Sequence, residues 1–241
     1  MTKRLVIIPT YNEAENISIL IPRLFRHIPG ISVLVVDDGS PDGTSKRCHL
    51  MKKDYQELHV LNRGKKIGFA SAYIAGFREG LSREYEEIIQ MDADMSHRVR
   101  DLKKMIEAKE LGNNIDVVVG SRWIAGGATE NWPARRQFLS RFANSYVQMM
   151  LGLGVSDCTG GFRIYSSEIL RKIDLAAIKS EGYSFQIEMT RAAKLTGAKI
   201  IEVPITFRER ESGVSKMSQA IVKEAMIRVT IWGFKRFLRL K

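Results

Sequence analysis

Short, wholly apolar runs alternate with stretches of helical spacing along the first half of the chain, and this alternation constrains the fold more than any other feature. Leu5–Pro9 (LVIIP) and Ile31–Val36 (ISVLVV) read as buried strands, because a continuous apolar run of this length suits a strand covered on both faces. Leu58–Leu61, Glu87–Met91 and Asp116–Gly120 (DVVVG) continue the series. Between them, Asn16–Ile28, a segment from Asp42 or Thr44 to about Tyr55, Phe69–Leu81 and Leu102–Leu111 carry helical spacing. Strands separated by helices of this length predict βαβ units and a mostly parallel sheet flanked by helices, an α/β fold. The composition shifts near Gly126-Gly127. After it we expect an amphipathic helix over 135–151, a smaller mixed region, a strand over 199–207 and a last helix from about Ser218.

A parallel sheet binds its ligand beyond the carboxyl ends of its strands. Three polar clusters stand at such ends: Pro9-Thr10-Tyr11-Asn12-Glu13, Val36-Asp37-Asp38-Gly39 and Met91-Asp92-Ala93-Asp94. The predicted topology gathers them in one cleft. Asp92 and Asp94, one residue apart at a strand end, suit a hard divalent cation held through oxygen, Mg²⁺ or Mn²⁺, whose shell diphosphate oxygens and water complete. The same pattern alone is more often a surface turn. Asp37-Asp38 reads either as a capped turn or as an acceptor for a ribose or base edge. Arg122, after the strand 116–120, is a cation placed to steady a phosphate. His97 follows the Asp pair and is a candidate to support it from behind. Dinucleotide binding is not indicated: Gly152-Leu153-Gly154 begins like the fingerprint, but Asp157 occupies its third glycine position.

The formal net charge is +11, and nine basic residues against three acids lie from 208 to 241. There they interleave with Ile, Val, Trp, Phe and Leu, which favours a helix lying on lipid; Arg228, Lys235 and Arg236 interrupt any spanning run. Phe138, Phe142, Tyr146, Met149 and Met150 recur at helical spacing on 135–151, fit either for lipid or for packing on the sheet. The clustered carboxylates speak against a nucleic-acid module, since they repel phosphate unless a cation intervenes. Two cysteines, Cys48 and Cys158, exclude a disulfide framework, and no secretory leader is expected.

Laid in order, these residues resemble the family-2 glycosyltransferases, and within them the dolichyl- or polyprenyl-phosphate mannosyltransferases (dolichol-phosphate-mannose synthases). The matching segments are VIIPTYNEAENI from Val6, VLVVDDGSPDGT from Val33, MDADMSH from Met91 and GSRWIAGG from Gly120. They continue with NWPARRQFLSRFANSY from Asn131, DCTGGFRIY from Asp157, GYSFQIEM from Gly182 and EVPITFRERESGVSK from Glu202. The resemblance departs where Arg98-Val99 follow His97, a place where the family often has prolines, and where some relatives carry Gln at the Ser96 position. Many relatives also carry C-terminal transmembrane helices.

The resemblance implies a GT-A fold, which we expect over 1–217; the charge and apolar spacing of 218–241 predict a basic amphipathic membrane-surface helix after it. It implies inverting, metal-dependent transfer of mannose from GDP-mannose to dolichyl or polyprenyl phosphate, peripherally at the cytoplasmic face of a membrane. Glucose or another hexose from UDP-glucose or a related donor is the alternative. Pro9, Tyr11, Glu13, Val36 and Asp38 would hold the guanosine; Asp92, Ala93 and Asp94 the diphosphate; Asp92, Asp94 and Ser96 the Mg²⁺ or Mn²⁺. Arg210 and Lys216 would reach the donor phosphates, and Arg122, Arg136 and Ser140 would receive the lipid phosphate. Asp94 and Arg122 are thereby the catalytic candidates. Short relatives can depend on a membrane-anchoring subunit, so the resemblance also admits such a partner.

Overall fold

A computed structural model describes residues 2–209 and 219–238, without the side chains of 219–223. The first half runs β1 (Arg4–Thr10), α1 (Ala14–His27), β2 (Ile31–Asp37), α2 (Thr44–Met51), β3 (Leu58–Asn62), α3 (Phe69–Ser82) and β4 (Glu87–Gln90). Then come α4 (Val99–Leu111), β5 (Val117–Ser121), β6 (Ala128–Glu130), α5 (Ala134–Leu151), β7 (Arg163–Ser166) and α6 (Ser167–Lys172). The described chain closes with α7 (Gly182–Leu195), β8 (Ile200–Pro204), β9 (Thr206–Arg208) and α8 (Gln219–Phe237).

Seven strands form one sheet in the order β3-β2-β1-β4-β7-β5-β8, and β6 pairs with β9 in a second, two-stranded sheet. All pairings in the large sheet are parallel except those of β7, which runs against both β4 and β5. The alternation of side chains along the strands builds the two cores. Leu5, Ile7, Leu34, Val36, Val117 and Val119 face a layer containing α3, α5, α6, α7 and α8. Val6, Ile8, Val33, Val35 and Val118 face α1, α2 and α4. Every one of these strand side chains is buried, each contributing about 1.5–3 kcal/mol of apolar transfer. That explains why the strands are apolar throughout rather than alternating with polar residues.

Where the sequence predicts one strand over 199–207, the chain breaks into β8 and β9. Pro204 has no N–H to extend the ladder, and after it the Ile205 N–H still reaches Ser121 while the Ile205 carbonyl accepts from Ala128. The chain thus crosses from the large sheet to the small one. The mixed region after α5 resolves into β7, α6 and α7.

Helix α8 packs along α5 and α7. Val229 is buried, the Tyr146 hydroxyl lies 2.6 Å from Thr230 Oγ1, and Arg191 stands over the Trp232 ring at 5.6 Å. The apolar faces expected on 135–151 and on the last helix are divided. Tyr146, Met150 and Val229 face protein, whereas Phe138, Leu139, Phe142 and Met149 on α5 and Ile227, Ile231, Phe234 and Phe237 on α8 are exposed. Among the described residues no helix is long and apolar enough to cross a membrane.

Candidate active site

Strand β1 lies between β2 and β4, so the chain leaves it in one direction and later returns on its other side. This reversal opens a crevice at the carboxyl edge of the sheet, the place where open α/β sheets take ligands. A cavity of about 320 Å³ occupies it. Pro9, Thr10, Tyr11, Glu13, Asp38, Asp92, Ala93, Asp94, His97, Arg122, Trp132 and Arg136 line it, together with Lys66, Gly160, Gly161, Glu181, Gln186 and Phe207. The three acidic and polar strand ends expected to converge therefore share one wall.

The β1–β2 end is a rigid polar corner. Asp37 accepts from Thr10 Oγ1 at 3.0 Å and from the Ser40 N–H at 3.0 Å, closing the turn. Gly39 has φ +75°, and a Cβ there would stand 2.8 Å from the Gly64 carbonyl oxygen, so only glycine fits. Asp38 is gripped bidentately by Arg63, at 2.6 and 2.7 Å. Such a fork fixes the carboxylate plane. Beyond it, Lys66 stands over the Tyr11 ring at 4.1 Å.

At the β4 end, Asp92 Oδ1 accepts from the buried Tyr73 hydroxyl at 2.9 Å. Burial, reinforced by the Asp92 charge, raises the Tyr73 pKa well above the ordinary tyrosine range, so the phenol stays a donor. The Asp92 N–H donates to His97 Nδ1 at 3.1 Å, which leaves the ring proton on Nε2. His97 stacks on Phe162 at 4.5 Å, and burial lowers its pKa, so it is a neutral brace rather than a cation. Met95, with φ 63°, turns the chain sharply between Asp94 and Ser96, a left-handed conformation that costs about 1–2 kcal/mol and is held by the Ser96 N–H donating to Asp94 Oδ1 at 3.2 Å.

Past β5, Arg122 is buried and paired with Asp157 through Nε at 2.7 Å and Nη2 at 2.7 Å, and its own N–H reaches the same carboxylate at 3.0 Å. Nη2 also reaches Thr159 Oγ1 at 2.9 Å, while Nη1 makes no hydrogen bond among the described residues. Trp123, Trp132 and Phe207 surround the guanidinium, with ring centres 5.2–5.5 Å from Cζ. Burial alone would raise the pKa of Asp157, but Arg122 outweighs it and the net shift is downward. Arg136 lies 4.0 Å over Trp132 and pairs with Glu209 at 2.5 Å.

Of the residues singled out from sequence, Pro9, Tyr11, Glu13, Asp38, Asp92, Ala93, Asp94, Arg122 and Arg136 meet in the cavity wall. Val36, Ser96 and Ser140 are not in that wall. Val36 is fully buried in the core, Ser96 is buried with its Oγ unpartnered, and the Ser140 carbonyl accepts from Asn144. Arg210 and Lys216 lie outside the described residues. Sequence reasoning assigned no role to Arg63, Lys66, Tyr73, Asp157, Arg163, Glu181 or Gln186. The run Arg63-Gly64-Lys65-Lys66-Ile67-Gly68 was a signal of a basic glycine loop after β3, and Asp157 and Gln186 sit in segments that carried the resemblance.

The chain is 47% identical over 234 residues to polyprenol monophosphomannose synthase of Mycolicibacterium smegmatis, covering 97% of this chain and 88% of that protein. It is 48% identical over 229 residues to undecaprenyl-phosphate mannosyltransferase of Micrococcus luteus, covering 95% and 93%. Among solved structures, glucosyl-3-phosphoglycerate synthase of Mycobacterium tuberculosis, crystallised with Mn²⁺, UDP and glucosyl-3-phosphoglycerate, superposes with a TM-score of 0.67 at 17% identity, over 100% of this chain and 81% of that one. That likeness establishes the shared GT-A architecture. The sequence profile described as Glycosyl transferase family 2 matches residues 5–174, and with the sheet order, the strand-end carboxylates and the relatives in agreement, the chain belongs to the family-2 glycosyltransferases.

Proposed function

We propose that this chain transfers mannose from GDP-mannose to a polyprenyl phosphate, inverting the anomeric centre, at a membrane surface. The observation that carries the reading is the joining of Asp92 and Asp94 with Lys66, Arg122 and Arg136 in one cavity. Such a site neutralises two anionic substrates at once. The activities for which the two relatives are named, both joining mannose to a polyprenyl-type lipid phosphate, support the choice of sugar and acceptor.

In this reading the β1–β2 corner takes the nucleoside. Asp38, fixed by Arg63, accepts from a ribose or base edge, and Tyr11 with Lys66 closes over it. Asp92 and Asp94 fit Mg²⁺ or Mn²⁺ by the chemistry of their donors. They are two hard carboxylates just past one strand end, and among the described residues no third His, Cys, Asp or Glu side chain stands with them as a ready-made metal cluster. Such a pair leaves the rest of a coordination shell to substrate oxygens and water. What a bound divalent cation supplies is neutralisation of charge on the leaving diphosphate. The Mn²⁺ in the structural neighbour is consistent with this.

The acceptor phosphate is already anionic near neutral pH, so its oxygen attacks the anomeric carbon without a general base. The demand on the protein is to hold that anion against the repulsion of the donor diphosphate. Arg122 and Arg136 do so from the β5 side of the cavity, and Asp157 keeps Arg122 from moving. The lipid tail then leaves along α5 and α8, whose exposed phenylalanines and aliphatic side chains lie beside Arg141, Lys235 and Arg236. Apolar faces with basic flanks suit a membrane interface. The chain divides into a catalytic domain over 1–217 and a membrane-surface helix over 218–241, a boundary that lies outside the described residues.

Incubation with GDP-mannose or UDP-glucose, Mn²⁺ and a polyprenyl phosphate, followed by mass and anomeric analysis, tests the proposal. A β-linked mannosyl phospholipid formed from GDP-mannose supports it. Exclusive use of UDP-glucose, or no lipid product, refutes it.

A further inference from the structure

We infer that the side-chain amide of Gln186 reads a pair of adjacent hydroxyls on the sugar being transferred, and is a specificity-determining contact of the site. The inference rests on the functional reading above. Gln186 is 2% exposed and lines the cavity, yet neither its Nε2 nor its Oε1 has a hydrogen-bond partner. A buried amide normally satisfies both ends. Here a residue of the cavity wall keeps both amide atoms buried and unpaired, and a primary amide can offer a donor and an acceptor to a vicinal diol, whose hydroxyls can each accept or donate.

The residue is also anchored. Its carbonyl accepts from Arg163 Nη1 at 2.9 Å and from Thr190 Oγ1 at 2.8 Å. Arg163 is wholly buried, and its other donors reach the carbonyls of Gly160 and Cys158 at 2.9 Å each. One guanidinium therefore ties the start of α7 to the loop 158–161. Gly161 packs close to the amide, where a Cβ would crowd Gln186 Nε2 at 3.2 Å.

Sheet order places this amide where the sugar must lie. Along the carboxyl edge the nucleoside corner follows β1 and β2, the carboxylates follow β4, and Arg122 follows β5. Strand β7 stands between β4 and β5 and runs the other way, so Gly160 and Gly161, just before it, reach the same edge. The step from diphosphate to acceptor phosphate passes over β7, and Gln186 stands beside that step.

The test is a deoxy-donor series made on whichever donor, GDP-mannose or UDP-glucose, the wild-type enzyme turns over. For the wild type, removing one hydroxyl of an adjacent pair should lower kcat/KM by about tenfold, the equivalent of a lost neutral hydrogen bond. In Gln186→Leu that penalty should shrink to about twofold or less, with the Kd for GDP and the KM for the lipid unchanged. Gln186→Met serves as a second variant should the first fold poorly, and the wild-type series stands without either. A wild type indifferent to every deoxy donor overturns the inference alone, as does a variant that keeps full discrimination or loses GDP affinity instead. Turnover of neither donor overturns the functional reading and the inference with it.

Discussion

Replacing Asp157 by Asn should destabilise the fold more than any other single change of one charge in the site. Asp157 is fully buried and accepts five hydrogen bonds: three from Arg122, one from the Gly160 N–H at 3.1 Å and one from Thr159 Oγ1 at 3.3 Å. Asn keeps the shape but removes the charge, leaving the Arg122 guanidinium buried among three aromatic rings without its counter-ion. Breaking a buried ion pair from one side costs about 3–5 kcal/mol. At about 2–4 °C per kcal/mol for a chain of this size, the midpoint of thermal unfolding should fall by about 6–20 °C. Urea unfolding of wild type and variant measures the difference directly. Because Asp157 titrates below the ordinary aspartate value, its contribution is complete above about 3.9 and is lost as pH falls through the folded value. The gap between wild type and variant should therefore narrow in acid. The double variant Arg122→Met/Asp157→Leu, which removes both charges, should recover much of the loss. A stability change below about 1 kcal/mol in Asp157→Asn would contradict a pair whose rupture costs several times that.

Four further outcomes follow from the same structure. Asp94→Ala should abolish transfer while lowering the unfolding midpoint by only a few degrees, since the side chain lines the cavity and its loss removes one hydrogen bond, from the Ser96 N–H, worth about 1 kcal/mol; retained turnover would refute the role of the strand-end carboxylates. Burial pushes the thiols of Cys48 and Cys158 up to about 12, so iodoacetamide at pH 8 should label neither until the chain is unfolded; rapid labelling of the native protein counts against their burial. Phe138→Ser/Phe142→Ser should weaken flotation with anionic liposomes without changing GDP affinity, as should truncation after Ser218; unchanged flotation removes α5 and α8 from the membrane account. Arg63→Ala frees the Asp38 carboxylate and should raise the Kd for GDP, with the lipid KM unaltered; a change confined to the lipid KM would place Asp38 on the wrong substrate.

The strands legible in the sequence are those buried on both faces. LVIIP and ISVLVV became β1 and β2, because an apolar run that short can be covered on two sides only inside a sheet. Strand β7 was not legible. Its four residues include Arg163, and a buried arginine satisfied by three carbonyls and the hydroxyls of Tyr165 and Thr190 carries no apolar signal. The convergence of Asp38, Asp92 and Asp94 was legible, because each ends a parallel strand and parallel strands end at one edge. The pairings Asp38–Arg63 and Arg122–Asp157 were not, since each joins residues 25 or more positions apart through side chains whose direction no periodicity reveals. For the same reason nothing in the sequence marks Gln186, whose position depends on the loop 158–161 and α7 meeting over Arg163.

Calorimetric titration with GDP, in Mn²⁺ and in EDTA, for the wild type and Asp94→Ala, asks most directly whether the nucleoside corner and the strand-end carboxylates form one site. The expected result is saturable binding by the wild type in Mn²⁺, lost both in EDTA and in the variant. Equal GDP affinity under all these conditions would mean that the carboxylates after β4 take no part in holding the nucleotide, and the central claim would fail.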